Sequence, residues 1–227
     1  MSHSGARDVS APDEGFAGLI VDWGGVLTGE LRPAVERWAQ RHGVEIAAYA
    51  DVMRRWLGPE GELEARLNPI HALERGEMEV PDFERMLARE LTARTGVEHD
   101  PTDLLARMFE EFEHAHDMNA LVRRARGLGI RTALLSNSWG DYYPRDLWDG
   151  MFDVVVISGE VGMRKPEPGI FALTLDRLGL PAQRCVFVDD LGHNIEAAAA
   201  LGLAGVHHTG YDATVRELEA LLGVDLG

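Results

Sequence analysis

The sequence predicts an α/β protein in which a doubly wound parallel sheet carries an all-helical cap domain inserted after the first strand. Five short apolar runs are nearly continuous rather than alternating, which is typical of strands buried on both faces of a parallel sheet. In chain order they read GLIVD, IRTALLS, DVVVIS, CVFVDD and AGVHH. Helical patterns separate the later runs, and strands that alternate with helices indicate right-handed crossover connections.

The interval after the first strand, residues 31–116, shows helical periodicity and no convincing strand. Its segment LRPAVERWAQRHG has Pro33 near the start and Gly43 at the end, as the residue preferences of helix ends lead us to expect. The segments AAYADVMRRWLG and VPDFERMLARELTARTG behave similarly. Because the interval is much longer than an ordinary loop, we expect a second, smaller domain there.

The remaining residues form the predicted α/β core, which comprises residues 16–30 and 117–227. Its later strands are connected by three segments with helical periodicity, residues 118–128, 167–178 and 194–201. Residues 1–15 are polar and contain acidic residues, so we expect a disordered leader rather than a signal peptide.

Composition excludes several classes of function. The net charge of −16 argues against a nucleic-acid partner, because phosphate backbones are bound by clustered lysine and arginine. No uncharged apolar run approaches the ~20 residues of a membrane span, so we expect a cytoplasmic protein without a membrane partner. Cys185 is the single cysteine, which leaves no intrachain disulfide. The composition does not indicate the oligomeric state.

Polar side chains follow the first four apolar runs, at the point where each predicted strand ends. Asp22 follows the first run, and Ser136 and Asn137 follow the second. The loop after the third contains Lys165, the chain's only lysine, and the fourth ends at Asp189 and Asp190. Ligands of open α/β sheets bind at the carboxyl ends of the strands, so we expect these groups to meet in one site.

The segments VDWGGVLT, LLSNS, GMRKPEPGIF and CVFVDDLGHNIEAAAALG resemble the four ordered motifs of the haloacid dehalogenase (HAD) superfamily. The resemblance covers about residues 17–210. It is closest to the subfamily I hydrolases with a helical cap, which include small hexose-phosphate phosphatases and the N-terminal phosphatase domain of soluble epoxide hydrolase. It implies a Rossmann-like core and a hydrolase that acts on small phosphorylated molecules.

The resemblance also implies a catalytic role for each matched position. Asp22 would attack the phosphoryl group and form an aspartyl-phosphate, which water then hydrolyses. Ser136, Asn137 and neighbouring backbone amides would bind the phosphoryl oxygens. Lys165 would neutralise the charge of those oxygens and of Asp22, because an anionic nucleophile cannot otherwise approach an anionic ester.

A magnesium ion is the cofactor that the resemblance implies. Asp22, the backbone carbonyl of Gly24 and Asp190 would bind it, and Asp189 would assist. These oxygen ligands are the kind that Mg²⁺ prefers.

Gly24 departs from the usual pattern of the superfamily's phosphatases. They usually have a second aspartate two residues after the nucleophile, which protonates the leaving alcohol and then activates water. General acid–base catalysis contributes typically ~10²–10⁴-fold, or about 3–5 kcal/mol of the barrier. Positioning and electrostatics can contribute more, so phosphatase activity remains compatible with glycine at this position.

Three functions are therefore open. The first is a Mg²⁺-dependent phosphatase of small phosphomonoesters. The second is a 2-haloacid dehalogenase in which Asp22 attacks carbon, since a halide leaves without a proton; Asp189 and Asp190 have no obvious use there. The third is a non-catalytic phosphate-binding protein that lacks the general acid.

Three further side chains are candidates for contact with substrate. His71 and Arg75 are four residues apart in ARLNPIHALERGEM and would share a helix face of the cap. Trp139 follows the second strand in a loop close to Ser136. The caps of this superfamily close over the site, so these residues would contact the substrate from above.

Overall fold

The structure is a computed structural model that describes residues 15–57 and 68–227. The leader predicted for residues 1–15 lies, except for Gly15, outside the described residues. The predicted fold class is confirmed: a parallel sheet of five strands is flanked by helices on both faces.

The sheet has the strand order β3-β2-β1-β4-β5, and every neighbouring pair is parallel. Its strands are β1 (Gly18–Val21), β2 (Arg131–Ser136), β3 (Val154–Ile157), β4 (Cys185–Asp189) and β5 (Ala204–His207). They coincide with the five apolar runs of the sequence. β1 therefore lies at the centre of the sheet, between β2 and β4.

The helices of the core are α6 (His116–Gly127), α7 (Ser158–Val161), α8 (Pro168–Leu178), α9 (Gly192–Ala200) and α10 (Tyr211–Leu222). Successive residues of β1 point to opposite faces of the sheet. Leu19 and Val21 pack in the apolar cluster formed with α6 and α10. Ile20 packs in the cluster formed with α8 and α9, where Cys185 is also fully buried. Burial on both faces explains why the sequence of β1 is apolar throughout.

The segment between β1 and α6 is helical in its described part, as the sequence predicts. Its helices are α1 (Leu31–Arg41), α2 (Ile46–Leu57), α3 (Pro69–Glu74), α4 (Val80–Thr95) and α5 (Leu104–Phe109). They enclose an apolar cluster of their own, in which Trp38, Phe83 and Leu91 are fully buried.

Two connections join this helical segment to the core, and they run side by side in opposite directions. Gly29 donates a backbone hydrogen bond to Glu113 at 2.8 Å, and Ala115 donates one to Leu27 at 3.0 Å. The paired connections lie next to the predicted boundaries, so we propose that residues 31–116 form a cap domain that is separate from the core.

The described residues contain no helix that combines the length and the apolar character of a membrane span. The cytoplasmic location and the absence of a nucleic-acid partner stay predictions.

Candidate active site

The candidate site lies at the carboxyl end of β1, where the chain connections diverge to opposite sides of the sheet. In open α/β sheets this switch point is where ligands bind. Asp22 directly follows β1, and its backbone N–H donates to the carbonyl of Val188 in β4 at 2.9 Å. Ser136 is the last residue of β2, and Asp189 is the last residue of β4.

Lys165 reaches this position from the loop that follows β3. Its Nζ lies 2.8 Å from Oδ1 of Asp22 and 2.7 Å from Oδ2 of Asp189, and its side chain is 1% exposed. A lysine that is buried to this extent is stable only with partners of opposite charge. Burial alone would lower the pKa of Lys165, but the two carboxylates outweigh that effect and raise it.

Asn137 fixes the position of the lysine through the backbone. Its Oδ1 accepts a hydrogen bond from the Lys165 N–H at 2.8 Å, and its Nδ2 donates to the Lys165 carbonyl at 3.0 Å. The amide thus holds the Lys165 loop against the end of β2. Each of the two side-chain polar atoms of Asn137 therefore has one partner in this loop, and the second hydrogen of Nδ2 can be donated to a phosphate oxygen.

Asp189 is held by three groups. Oδ2 accepts from Lys165, Oδ1 accepts from the backbone N–H of Leu191 at 2.8 Å, and Asn194 Nδ2 lies 3.0 Å from Oδ1 and 3.1 Å from Oδ2. Each carboxylate oxygen therefore has two hydrogen-bond donors. The sequence-based role for Asp189 was to assist metal binding, whereas its contacts fit the anchoring of Lys165.

Three carboxylates face one ammonium group. Asp22, Asp189 and Asp190 each have a carboxylate oxygen within 4.8 Å of the others. When all three are ionised, the formal net charge of the group with Lys165 is −2. Burial raises the pKa of Asp22 to about 7; Lys165 opposes the rise, and Asp189 and Asp190 add to it. Burial and then Asp189 also raise the pKa of Asp190. The excess negative charge favours a bound cation.

The donor set fits a magnesium ion. Oδ1 of Asp22 accepts hydrogen bonds from the Trp23 backbone and interacts with Lys165, whereas Oδ2 accepts none from residues 15–57 and 68–227. Asp190 and Gly24 border the same cavity. One or two carboxylates with a carbonyl oxygen and waters are typical ligands of Mg²⁺.

Ser136 is oriented by a tyrosine that the sequence-based site did not include. The hydroxyl of Tyr143 donates to Ser136 Oγ at 2.9 Å. Burial raises the pKa of Tyr143 well above its usual range, so the phenol stays protonated and remains a donor. Because Ser136 Oγ accepts this bond, its own proton is free to be donated to a ligand oxygen.

A cavity of about 370 Å³ opens above these groups, between the core and the helical segment. Asp22, Ser136, Lys165 and Asp190 lie at its polar end. Trp139, predicted to contact substrate, lies in its wall, and its Nε1 donates to Glu74 Oε1 at 3.2 Å. The volume is near the lower end of the ~300–1,000 Å³ range of small-molecule sites.

The two other predicted substrate contacts are not among the residues that line the cavity. Arg75 follows the end of α3, and its guanidinium pairs with Glu77 at 2.9 Å and with Glu167 at 3.0 Å. His71 is partly buried, and burial and then Arg164 lower its pKa to about 4. The cavity is lined instead by Glu74, the last residue of α3, whose carboxylate pairs with Arg164.

The cavity also contains aromatic side chains that motif reasoning did not assign to the site. Phe109 and Phe112 come from the end of α5 and the turn after it, and Trp23 directly follows Asp22. In the sequence, Phe109 and Phe112 are three residues apart in the segment MFEEF, and this spacing places both rings on one side of a helical turn. Such a pattern is equally typical of a buried core.

Comparisons with known proteins agree with this geometry. The chain is 30% identical over 234 residues to the mouse acyl-CoA dehydrogenase family member 10, a match that covers 99% of this chain and 20% of that protein. It is 33% identical over 114 residues to the sesquiterpene phosphatase astK of Aspergillus oryzae, covering 47% and 56% of the two chains. The chain thus spans less than two thirds of both curated relatives.

Among solved structures, a HAD family enzyme of Bacteroides thetaiotaomicron, in complex with magnesium and inorganic phosphate, superposes with a TM-score of 0.57. The two chains are 19% identical over 85% of this chain and 94% of that one, which is a likeness of fold. Residues 16–202 match the family described as haloacid dehalogenase-like hydrolase. The match includes the whole polar end of the cavity, and the chain belongs to the haloacid dehalogenase-like hydrolases.

Proposed function

We propose that the protein is a Mg²⁺-dependent phosphatase of small phosphomonoesters that works through an aspartyl-phosphate on Asp22. The observation that carries this proposal is the contact of Lys165 with both Asp22 and Asp189, next to the carboxylate of Asp190. A buried ammonium group of this kind can offset the charge of a transferring phosphoryl group.

In the first step, Oδ2 of Asp22 attacks phosphorus, and the bond from phosphorus to the ester oxygen breaks. Asp22 Oδ1 keeps its interactions with Lys165 and the Trp23 N–H, so the nucleophile is oriented throughout. Ser136 and Lys165 donate to the phosphoryl oxygens. Because residue 24 is glycine, the departing oxygen takes its proton from water, and the hydroxide that remains is neutralised by the proton that the attacking water releases in the second step.

In the second step, water attacks the phosphorus of the aspartyl-phosphate, the bond to Oδ2 breaks, and inorganic phosphate leaves with Asp22 regenerated. Tyr143 keeps Ser136 oriented in both steps. A magnesium ion held by Asp22, Asp190 and the Gly24 carbonyl would supply positive charge to the phosphoryl oxygens.

The relatives support this proposal. Sesquiterpene phosphatase astK is a phosphatase by name, and the Bacteroides enzyme was crystallised with magnesium and inorganic phosphate. The net charge of −2 among the carboxylates and Lys165 also favours a divalent cation over a site without metal.

The test is phosphate release from a panel of phosphomonoesters, with Mg²⁺ and with a chelator. We expect release that requires Mg²⁺ and disappears in Asp22→Asn. The matched control is Asp176→Asn, which changes an exposed aspartate of α8 and should leave release unchanged. Release by Asp22→Asn at the wild-type rate would contradict the proposed nucleophile.

A 2-haloacid dehalogenase is the second candidate, because Gly24 provides no proton donor and a halide leaves without one. The same panel, extended with 2-chloropropionate, separates the candidates: chloride release without phosphate release would identify the dehalogenase. Tight binding of phosphate without turnover of any ester would identify a phosphate-binding protein.

A further inference from the structure

We propose that the cavity above Asp22 is a hydrocarbon subsite, which selects phosphomonoesters of apolar alcohols, such as alkyl or isoprenoid alcohols, over sugar phosphates. The inference rests on the proposed phosphatase function and specifies its substrate class. It is carried by the aromatic wall of the cavity, by exposed aliphatic side chains at its edge, and by the pairing of its polar groups.

The aromatic wall begins at the residue next to the nucleophile. The ring centroid of Trp23 lies 4.9 Å from that of Tyr143, 6.0 Å from Phe109 and 6.1 Å from Phe112. Phe109 in turn stacks on Tyr142 with centroids 4.9 Å apart. The rings therefore form one continuous surface from the core to the helical segment. A group attached to the phosphate would leave the polar end along this surface.

Aliphatic side chains complete the wall and stay accessible to solvent. Leu57 and Leu191 line the cavity while 53% and 47% exposed, and Leu31 and Val35 of α1 line it as well. Large apolar side chains that remain exposed around a concave site mark a surface that another apolar group covers. An alkyl or isoprenoid chain would bury them.

The polar side chains of the wall are already engaged with one another. Glu74 pairs with Arg164 and accepts from the Trp139 indole, and Tyr143 donates to Ser136. Arg164 and Lys165 are the fixed cations among the described residues that line the cavity, and both face carboxylates. A second phosphate or a carboxylate on the substrate would therefore find no unpaired lysine or arginine side chain among the described residues that line the cavity.

The same pairing disfavours a sugar. Each hydroxyl group that loses water and finds no partner weakens binding roughly five- to hundredfold. Apart from the Tyr142 hydroxyl and the exposed His193, the described wall offers few side-chain partners for such groups. A hydrocarbon instead gains affinity with each carbon that it buries against the rings.

The first experiment measures kcat/KM for a series of straight-chain alkyl phosphates, geranyl phosphate, glucose 1-phosphate and glucose 6-phosphate. We expect kcat/KM to rise about fourfold per buried methylene until the cavity is filled. We expect both sugar phosphates to fall below the longer alkyl esters. A rate that is independent of chain length, or a preference for the sugar phosphates, would overturn the subsite.

The second experiment separates the subsite from the chemistry, because it measures binding of alkyl phosphonates, whose P–C bond is not hydrolysed. The dissociation constant should fall with chain length whether or not the protein turns over esters. Tightening without turnover of any ester would uphold the subsite and reject the phosphatase. A constant or rising dissociation constant would reject the subsite.

A variant at the edge of the cavity gives a direct check. Leu57→Gln should lower kcat/KM for the longest ester about five- to tenfold, with ethyl phosphate unchanged. Leu128→Gln is the matched control, since Leu128 is 54% exposed and lies outside the cavity. Equal losses in the two variants, or no loss in either, would contradict the proposal.

Discussion

Restoring a carboxyl group at position 24 tests the mechanism most directly. Gly24 has no left-handed φ, and among the described residues a Cβ built there meets Leu31 alone, with Cδ1 at 3.6 Å and Cδ2 at 3.9 Å. These are ordinary contact distances, so Gly24→Asp should fold. The residue borders the cavity, and its backbone carbonyl is retained as an oxygen ligand.

The new carboxyl group would be a proton donor near neutral pH. It would join Asp22, Asp189 and Asp190, and both burial and nearby negative charge raise the pKa of a carboxyl group. A well-placed general acid contributes ~10²–10⁴-fold, or about 3–5 kcal/mol of barrier. The position has not been optimised for this role, so we expect a gain of at least about tenfold.

The gain should depend on the leaving group. An alkyl alcohol needs a proton as it departs, whereas p-nitrophenolate leaves without one, so only the alkyl ester should respond. The assay is kcat for ethyl phosphate and for p-nitrophenyl phosphate in wild type, Gly24→Asp and Gly24→Asn. The asparagine variant matches the aspartate in size but donates no useful proton. An unchanged ratio of the two rates in Gly24→Asp would refute the argument that the acid is missing.

Three further predictions concern the metal, the lysine and the thiol. Gly25→Ala should weaken Mg²⁺ binding, measured by calorimetry, at least tenfold, because Gly25 has φ of +73° and a Cβ there would lie 2.5 Å from Asp190 Oδ2. A Cβ at Gly24 meets no carboxylate, so the control variant Gly24→Ala should bind Mg²⁺ as the wild type does. Lys165→Met removes the positive charge beside Asp22 and Asp189, and we expect the free energy of unfolding in Mg²⁺-free urea titrations to fall by about 3–5 kcal/mol. An unchanged value would contradict this role. Cys185 is fully buried, and burial raises the pKa of its thiol to about 11. A thiol reagent at pH 8 should therefore label one group per chain in guanidinium chloride and none in the native protein.

The fold was predictable because its signals are local. The five strands are predominantly apolar segments, and helix ends are marked by residues such as Pro33 and Gly43. The polar end of the site was predictable for a related reason: parallel strands place their carboxyl ends at one edge, so Asp22 and Asp189 were expected to lie together. Neither inference needed knowledge of how distant helices pack.

The cavity wall was not predictable, because it depends on such packing. Whether Phe109 faces the cavity or a core is decided by contacts with Trp23, more than eighty positions earlier in the chain. Arg75 looked like a substrate contact, but the structure pairs it with Glu167 across the boundary with the core. Surface charges have many possible partners, and sequence spacing does not choose among them.

The glycine at position 24 and the aromatic wall affect different steps of the reaction, and two independent substrate properties separate them. The basicity of the leaving oxygen determines how much a proton donor at Gly24 would contribute, while the apolar area of the alcohol determines how much the wall contributes. An aryl ester with a short substituent isolates the effect of leaving-group basicity. A series of alkyl esters whose alcohols have the same basicity isolates the effect of apolar area.

If Gly24→Asp raised the rates of the whole alkyl series by one common factor, the proton donor and the wall would be acting additively, as expected for groups that contact different parts of the substrate. If the factor changed with chain length, the wall would also be setting the position of the leaving oxygen, and Trp23, which contacts both Asp22 and the aromatic cluster, would be the residue that couples them.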